Sequence, residues 1–220
     1  MYLTIQGIVL RVTDYNDKDA LLTMLTRRHG RLTVKARGLR RKNSPLIAPC
    51  QLLAYGEFTL FEYRGQYTIN EAQSIELFTP LRRDLTKLSL GTYFAQVSEV
   101  LSQEDMPNPE LQSLLLNCLY ALSRLDLPES QVKAVFELRA MCLAGYLPDL
   151  SGCAVCGDPE PDRFDVRGGI LCCASCSAGE GLRLPVSPGS LAAMRYLVSC
   201  DAKRLFAFRL EGRAVKELCD

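Results

Sequence analysis

In the first eighty residues the apolar side chains come in short runs, not at helical spacing. Ile5, Ile8 and Leu10 lie in a β-branched run, and Leu21-Leu22-Thr23-Met24-Leu25-Thr26 forms a second. A short basic link centred on Gly30 leads to a third run, Leu32 to Ala36. Gly30 can supply the positive φ that a tight hairpin turn requires. Two further runs, Leu52–Tyr63 and Gln66–Leu77, meet around Arg64-Gly65. Within Phe58-Thr59-Leu60-Phe61-Glu62-Tyr63, apolar and polar residues alternate only in part. Five short strands in under 80 residues predict a small barrel. A five-stranded OB barrel fits the count and length, and a small sandwich or SH3-like barrel would show the same pattern.

After Phe78 the period changes. Thr79-Pro80 reads as a helix start with proline at the first helical position. Leu81, Leu85, Leu88, Phe94, Val97 and Leu101 follow at helical spacing. Asn108-Pro109-Glu110 opens a second helix, with Leu111, Leu114, Leu115, Leu119 and Leu122 on one face. A third begins near Glu129, with Val132, Val135, Phe136 and Met141 on its apolar side and Gly145 as its stop. These three are expected to form a bundle. Ser187-Pro188 starts a short helix through Leu197, and the last residues also look helical. The pattern predicts an α+β multidomain chain. Its parts are a β-barrel over 1–78, a helical domain over 79–150 and 182–220, and a cysteine-rich insertion over 151–181.

Composition narrows the class. The chain has 220 residues and is 48% hydrophobic and 23% charged, so it can bury a core. No apolar run approaches the ~18 residues that span a bilayer. The N-terminus lacks the basic start and cleavage site of a signal peptide. Five of the ten cysteines crowd between Cys153 and Cys176, and the rest are scattered. That usage suits a reducing compartment, with one metal site and several buried thiols.

Residues 151–177 read SGCAVCGDPEPDRFDVRGGILCCASCS. Cys153-x2-Cys156 and Cys173-x2-Cys176 are sixteen residues apart, which lets two knuckles close a tetrahedral four-sulfur shell around one structural zinc ion. Cys172 is a surplus thiol and an alternative ligand, through Cys172-x3-Cys176. A closed four-sulfur shell does not activate water, so its expected role is to fold a segment poor in apolar residues.

Charge is uneven although the net charge is only +1. Residues 1–80 hold eleven basic and seven acidic side chains. Arg27 to Lys42, RRHGRLTVKARGLRRK, holds eight cations and no carboxylate: Arg27, Arg28, Arg31, Lys35, Arg37, Arg40, Arg41 and Lys42. Tyr15, Phe58, Phe61, Tyr63 and Tyr67 lie in the same barrel segment, most of them expected in its core. A cationic groove with some aromatic rings suits a single strand of nucleic acid. The single histidine, His29, is expected at the surface. No Ser-His-Asp set, phosphate-cradling glycine loop or paired acidic motif is present, so the sequence points to a binding protein and not to an enzyme.

The order of these parts resembles the bacterial RecO recombination-mediator family over nearly the full chain. GIVLRVTDYNDKDALLTMLTRRHGRLTVKARGLRRKNSPL is similar to the family's first barrel strands and basic linker. LAGYLPDLSGCAVCG followed by GGILCCASC is similar to its junction between helices and cysteine site. The resemblance implies an N-terminal OB domain that binds nucleic acid, a helical domain and a zinc-binding insertion. It implies binding to single- and double-stranded DNA, annealing of complementary strands, and action on strands coated by single-stranded-DNA-binding protein, whose C-terminal tail is acidic. With the partner RecR, such proteins help load RecA in recombinational DNA repair. They are cytoplasmic, and nucleoid-associated during repair. Carried over to this chain, the eight cations become DNA contacts and Cys153, Cys156, Cys173 and Cys176 the zinc ligands. A dock for the acidic tail would combine an apolar groove with nearby cations, and Lys133 and Arg139 on the third helix are candidates for it from their position alone. Relatives usually continue past Asp220 with another basic helix. Two other readings share these features: a zinc-containing RNA-binding or translation-associated protein, and a thiol redox sensor using Cys172.

Overall fold

The computed structural model describes residues 1–176, 181–210 and 212–220. It divides into two compact units, Met1–Asp126 and Leu127–Asp220. In the first unit, β1 (Tyr2–Asp14), β2 (Ala20–Thr26), β3 (Arg31–Ala36), β4 (Tyr55–Tyr63) and β5 (Gln66–Glu76) close into a barrel in the order β1-β2-β3-β5-β4. All neighbours are antiparallel except β3 and β5, which pair in parallel through Val34↔Tyr67 and Lys35↔Thr68.

Ile5, Val9, Leu22, Met24, Phe58 and Leu60 fill the barrel interior. Strict alternation fails in β1 and β2 because their outer face is covered too. Helices α1 (Leu85–Leu101) and α2 (Pro109–Arg124) pack on those two strands, so Ile8, Leu10 and Leu25 are also buried. The buried Gln112 amide on α2 donates to the Leu25 carbonyl at 3.1 Å, satisfying both groups. Residues 37–54 form successive turns and not an early start to β4. Leu39, Leu46 and Cys50 from those turns join the barrel core. Burial pushes the Cys50 thiol pKa up to about 12.

The helix expected from Thr79-Pro80 is a 3-10 turn, Thr79–Arg83. Asp84 breaks it: its backbone is extended and its carboxylate accepts the Thr86 and Lys87 N–H groups at 2.9 and 3.1 Å. That cap starts α1 in a new register, leaving Leu81 buried and Leu85 exposed.

The second unit holds α3 (Glu129–Leu143), β6 (Asp149–Cys153), β7 (Arg163–Asp165), β8 (Ile170–Cys172), β9 (Arg183–Pro185), α4 (Pro188–Ser199) and α5 (Arg213–Cys219). The expected three-helix bundle is therefore corrected. Helices α1 and α2 are used in covering the barrel, whereas α3 packs with α4 and α5. Met141, expected on the apolar side of α3, is exposed. The cysteine-rich segment and the residues flanking it form a four-stranded sheet in the order β6-β8-β7-β9, which reaches beyond 151–181 at both ends. Its Leu150 and Leu171 pack with Val186 and with Leu191 and Met194 of α4. Residues 177–180 of the expected 151–181 insertion lie outside the described residues. Helix α4 starts at Ser187-Pro188 as expected and runs to Ser199, and Ser187 caps it through a reciprocal box with Ser190.

Candidate nucleic-acid interface and metal centre

The basic stretch is divided by the strand it contains. Arg27 and Arg28 occupy the turn between β2 and β3, whereas Arg37, Arg40, Arg41 and Lys42 lie in the turns after β3. A six-residue strand separates the two groups by about 20 Å. Gly30 fixes the first turn. It has φ +62°, and a Cβ there would lie 2.3 Å from the Met106 carbonyl oxygen and 2.6 Å from that of Gln103. The turn is thus held against the chain after α1, and the Arg31 N–H donates to the Gln103 carbonyl at 3.0 Å.

Three of the eight cations have partners that the sequence does not place beside them. The Arg31 guanidinium donates to the Glu99 carbonyl at 2.8 Å and lies 3.8 Å from the Glu104 carboxylate. Lys35 sits 3.4 Å from Asp19 and 4.3 Å above the centre of the Tyr15 ring. Arg40 pairs with Asp14 at 3.0 Å. The Gly38 N–H, then Asn16, and less strongly Lys35, hold the Asp19 carboxyl pKa below its ordinary value, against an opposing effect of burial. Arg27, Arg28, Arg37, Arg41 and Lys42 are exposed and have no ion pair among the described residues. His29 is half-buried in the first turn, its backbone N–H on the Thr26 hydroxyl at 3.0 Å. Of the five aromatics, Phe58 is buried and Tyr67 half-buried. Tyr15, Phe61 and Tyr63 are exposed, which corrects the expectation that most lie in the core.

In the second unit, Cys153, Cys156, Cys173 and Cys176 each place a sulfur within 4.8 Å of the other three. Two turns create this cluster. The Gly157 N–H closes the first on the Cys153 carbonyl at 2.9 Å, with Gly157 at φ +77°. The Cys176 N–H closes the second on the Cys173 carbonyl at 3.1 Å. The Cys156 and Cys173 sulfurs are 3.8 Å apart. A tetrahedral zinc ion with Zn–S of about 2.3 Å needs sulfurs roughly 3.8 Å apart, so the donor set fits the ion in chemistry and spacing. Cys172 is buried on β8 and is not part of the cluster, so the alternative ligand is not the one assembled.

Backbone N–H groups of Cys156 and Val155 lower the Cys153 thiol pKa to about 6. Burial and the neighbouring sulfurs raise that of Cys173, and hydrogen bonding with Cys156 and burial raise that of Cys176. Thiols so close cannot all ionise unaided, and a central divalent cation removes that conflict. The supports around the knuckles were not foreseen. Arg195 of α4 donates to the carbonyls of Leu150, Ser151 and Pro159 at 2.8, 3.3 and 2.7 Å. Asp162 accepts the Ala174 N–H at 2.7 Å. Neither residue is near the cysteines in a recognisable spacing, so sequence offered no signal for them.

The family model described as "Recombination protein O N terminal" matches residues 1–78, and that described as "Recombination protein O C terminal" matches residues 82–220. The chain belongs to the RecO family. The first RecO model ends where strands give way to helices, and the second contains all four clustered cysteines. A DNA repair protein RecO from Acetivibrio thermocellus is 33% identical, with 99% of this chain and 87% of the relative covered. One from Bacillus pumilus is 32% identical, covering 99% and 85%, and one from Alkaliphilus metalliredigens is 29% identical, covering 93% and 84%. Within this RecO chain, the two cations expected on α3 are both engaged. Lys133 lies 3.2 Å from Glu137, and Arg139 donates to the Leu197 and Val198 carbonyls at 2.9 and 3.0 Å, capping α4.

Proposed function

We propose that the chain is a DNA-binding recombination mediator acting in DNA repair; its RecO relatives are named DNA repair proteins. The observation that carries this reading is the set of five exposed cations, without carboxylate partners among the described residues, at two ends of one barrel strand in a chain of this family. Uncompensated cations meet phosphates and release counterions, with no need to read bases.

The barrel is read as OB-type, because its strand order closes through a parallel β3–β5 pair. It forms the DNA-binding domain, residues 1–78. Arg27 and Arg28 hold one stretch of backbone, and Arg37, Arg41 and Lys42 another. Arg31, Lys35 and Arg40 position these turns through their own ion pairs. Two complementary strands repel each other through their phosphates, and cations on two surfaces lower that repulsion enough for the strands to anneal. Single- and double-stranded DNA are both bound in this way. The helical parts, 79–150 and 182–220, and the segment 151–181 supply a frame and docking surfaces for RecR and for the acidic tail of single-stranded-DNA-binding protein. RecA loading follows indirectly. Cys153, Cys156, Cys173 and Cys176 would hold one structural zinc ion, which ties the knuckles together and takes no part in DNA chemistry.

Annealing of fluorescent complementary oligonucleotides tests the reading. Arg37→Glu/Arg41→Glu/Lys42→Glu is expected to anneal at least about tenfold more slowly than the parent chain. An unchanged rate would remove these cations from the mechanism.

A further inference from the structure

The incomplete alternation in β4 has a structural counterpart. Phe58 and Leu60 point into the barrel, while Phe61 faces outward and is 41% exposed. In register beside it on β1 is Tyr2, 63% exposed, with the two ring centroids 5.4 Å apart. Tyr63 follows two positions along the same strand face, with the Arg64 guanidinium 5.2 Å from its ring centre. Along β1 and β4 from the aromatic pair come Thr4 opposite Thr59, then Gln6 opposite Glu57. There the β2–β3 turn comes alongside, since Gly7 pairs with Thr26. Thr4, Gln6, Glu57, Arg27, Arg28 and His29 line an open groove of about 670 Å³. The Tyr55 hydroxyl donates to the Gln6 side-chain Oε1 at 3.1 Å, which holds that side chain on this face.

We propose that this outer face of β1 and β4 is a track for a single strand of DNA, on which Tyr2 and Phe61 stack bases and Arg27 and Arg28 hold phosphates. The proposal rests on the DNA-binding reading above and specifies a surface for it. The occupant follows from the chemistry of the track. Exposed ring faces at one end and unpaired guanidinium groups about 13 Å along the strand match alternating bases and phosphates. A duplex keeps its bases stacked inside, so it can use the cations but not the rings. Glu57 is the carboxylate in the groove and opposes a phosphate there.

Fluorescence anisotropy with three probes of equal length tests the track: oligothymidylate, an abasic oligonucleotide and a duplex. Tyr2→Leu/Phe61→Leu keeps apolar area between the strands while removing the rings. It is expected to bind oligothymidylate about tenfold or more weakly, and the abasic and duplex probes within about twofold of the parent chain. Arg27→Ala/Arg28→Ala is expected to weaken all three probes and to lower the salt slope by about two. Equal oligothymidylate binding by the double leucine variant overturns the platform. So does a proportional loss on all three probes, which marks the rings as a cross-strand brace alone. If the parent chain binds none of the probes, the DNA-binding reading itself fails. If it binds and the leucine variant binds equally, only the track fails.

Discussion

Gly30 shows how a single position can carry two constraints. A positive φ was legible from its place in a basic turn, but the backbone of Gln103 and Met106 pressed against it was not. Gly30→Ala is expected to destabilise the first unit by about 2 kcal/mol or more, through both steric overlap and the left-handed backbone. Urea unfolding measures it, and a midpoint equal to that of the parent chain would show that the turn stands off from the segment after α1. The basic stretch was legible as a cluster of cations, but its internal division was not. Whether Arg31 is spent depends on Glu99, sixty-eight positions away, and no local pattern records that pairing. Arg40 and Lys35 were nearer their partners Asp14 and Asp19, yet only the closed turn between β1 and β2 brings them together.

Element by element, long periodic segments were readable and short ones were not. The starts of α2 and α4 follow their capping residues Asn108 and Ser187, and α3 follows its apolar spacing alone. Strands β7, β8 and β9 have three residues each, too few to show a period of two, and the paired strands β6 and β8 end at Cys153 and Cys172, in and beside the cysteine cluster. Metal removal is therefore expected to act locally. A chelator should release one zinc ion per chain and abolish amide protection in β6 to β9, while β1 to β5 keep theirs. Unaltered protection in β6 to β9 would separate that sheet from the metal. Cys172→Ser is expected to retain the same zinc content, since its thiol lies outside the cluster.

Helix α5 is expected to be attached in a pH-dependent way. Glu217 accepts the Ser187 N–H and the Ser190 hydroxyl, both at 2.8 Å, and pairs with Arg213. Burial raises its pKa, but these bonds outweigh it and lower the value from 4.5 to about 2. A depressed carboxylate pKa contributes stability above its unfolded value. The contribution is complete above about pH 4.5 and is lost as pH falls toward 2. Thermal melts from pH 6 to 3 should show a steeper fall for the parent chain than for Glu217→Gln, and parallel curves would contradict the docking of α5 on the α4 cap.

For the whole molecule, a net charge of +1 hides the property that matters, because the cations of the barrel are balanced by carboxylates elsewhere in the sequence. Five of them reach solvent unpaired among the described residues, in two groups set apart by one strand, and DNA is the polyanion to which the proposed function assigns them. The salt dependence of single-strand binding tests that assignment most directly. If about five phosphates are engaged, log K against log salt concentration should fall with a slope near −3 to −4, and the slope should approach zero when the five cations are replaced by glutamine. A parent chain that binds equally well at low and molar salt, or a slope that survives all five replacements, would contradict it.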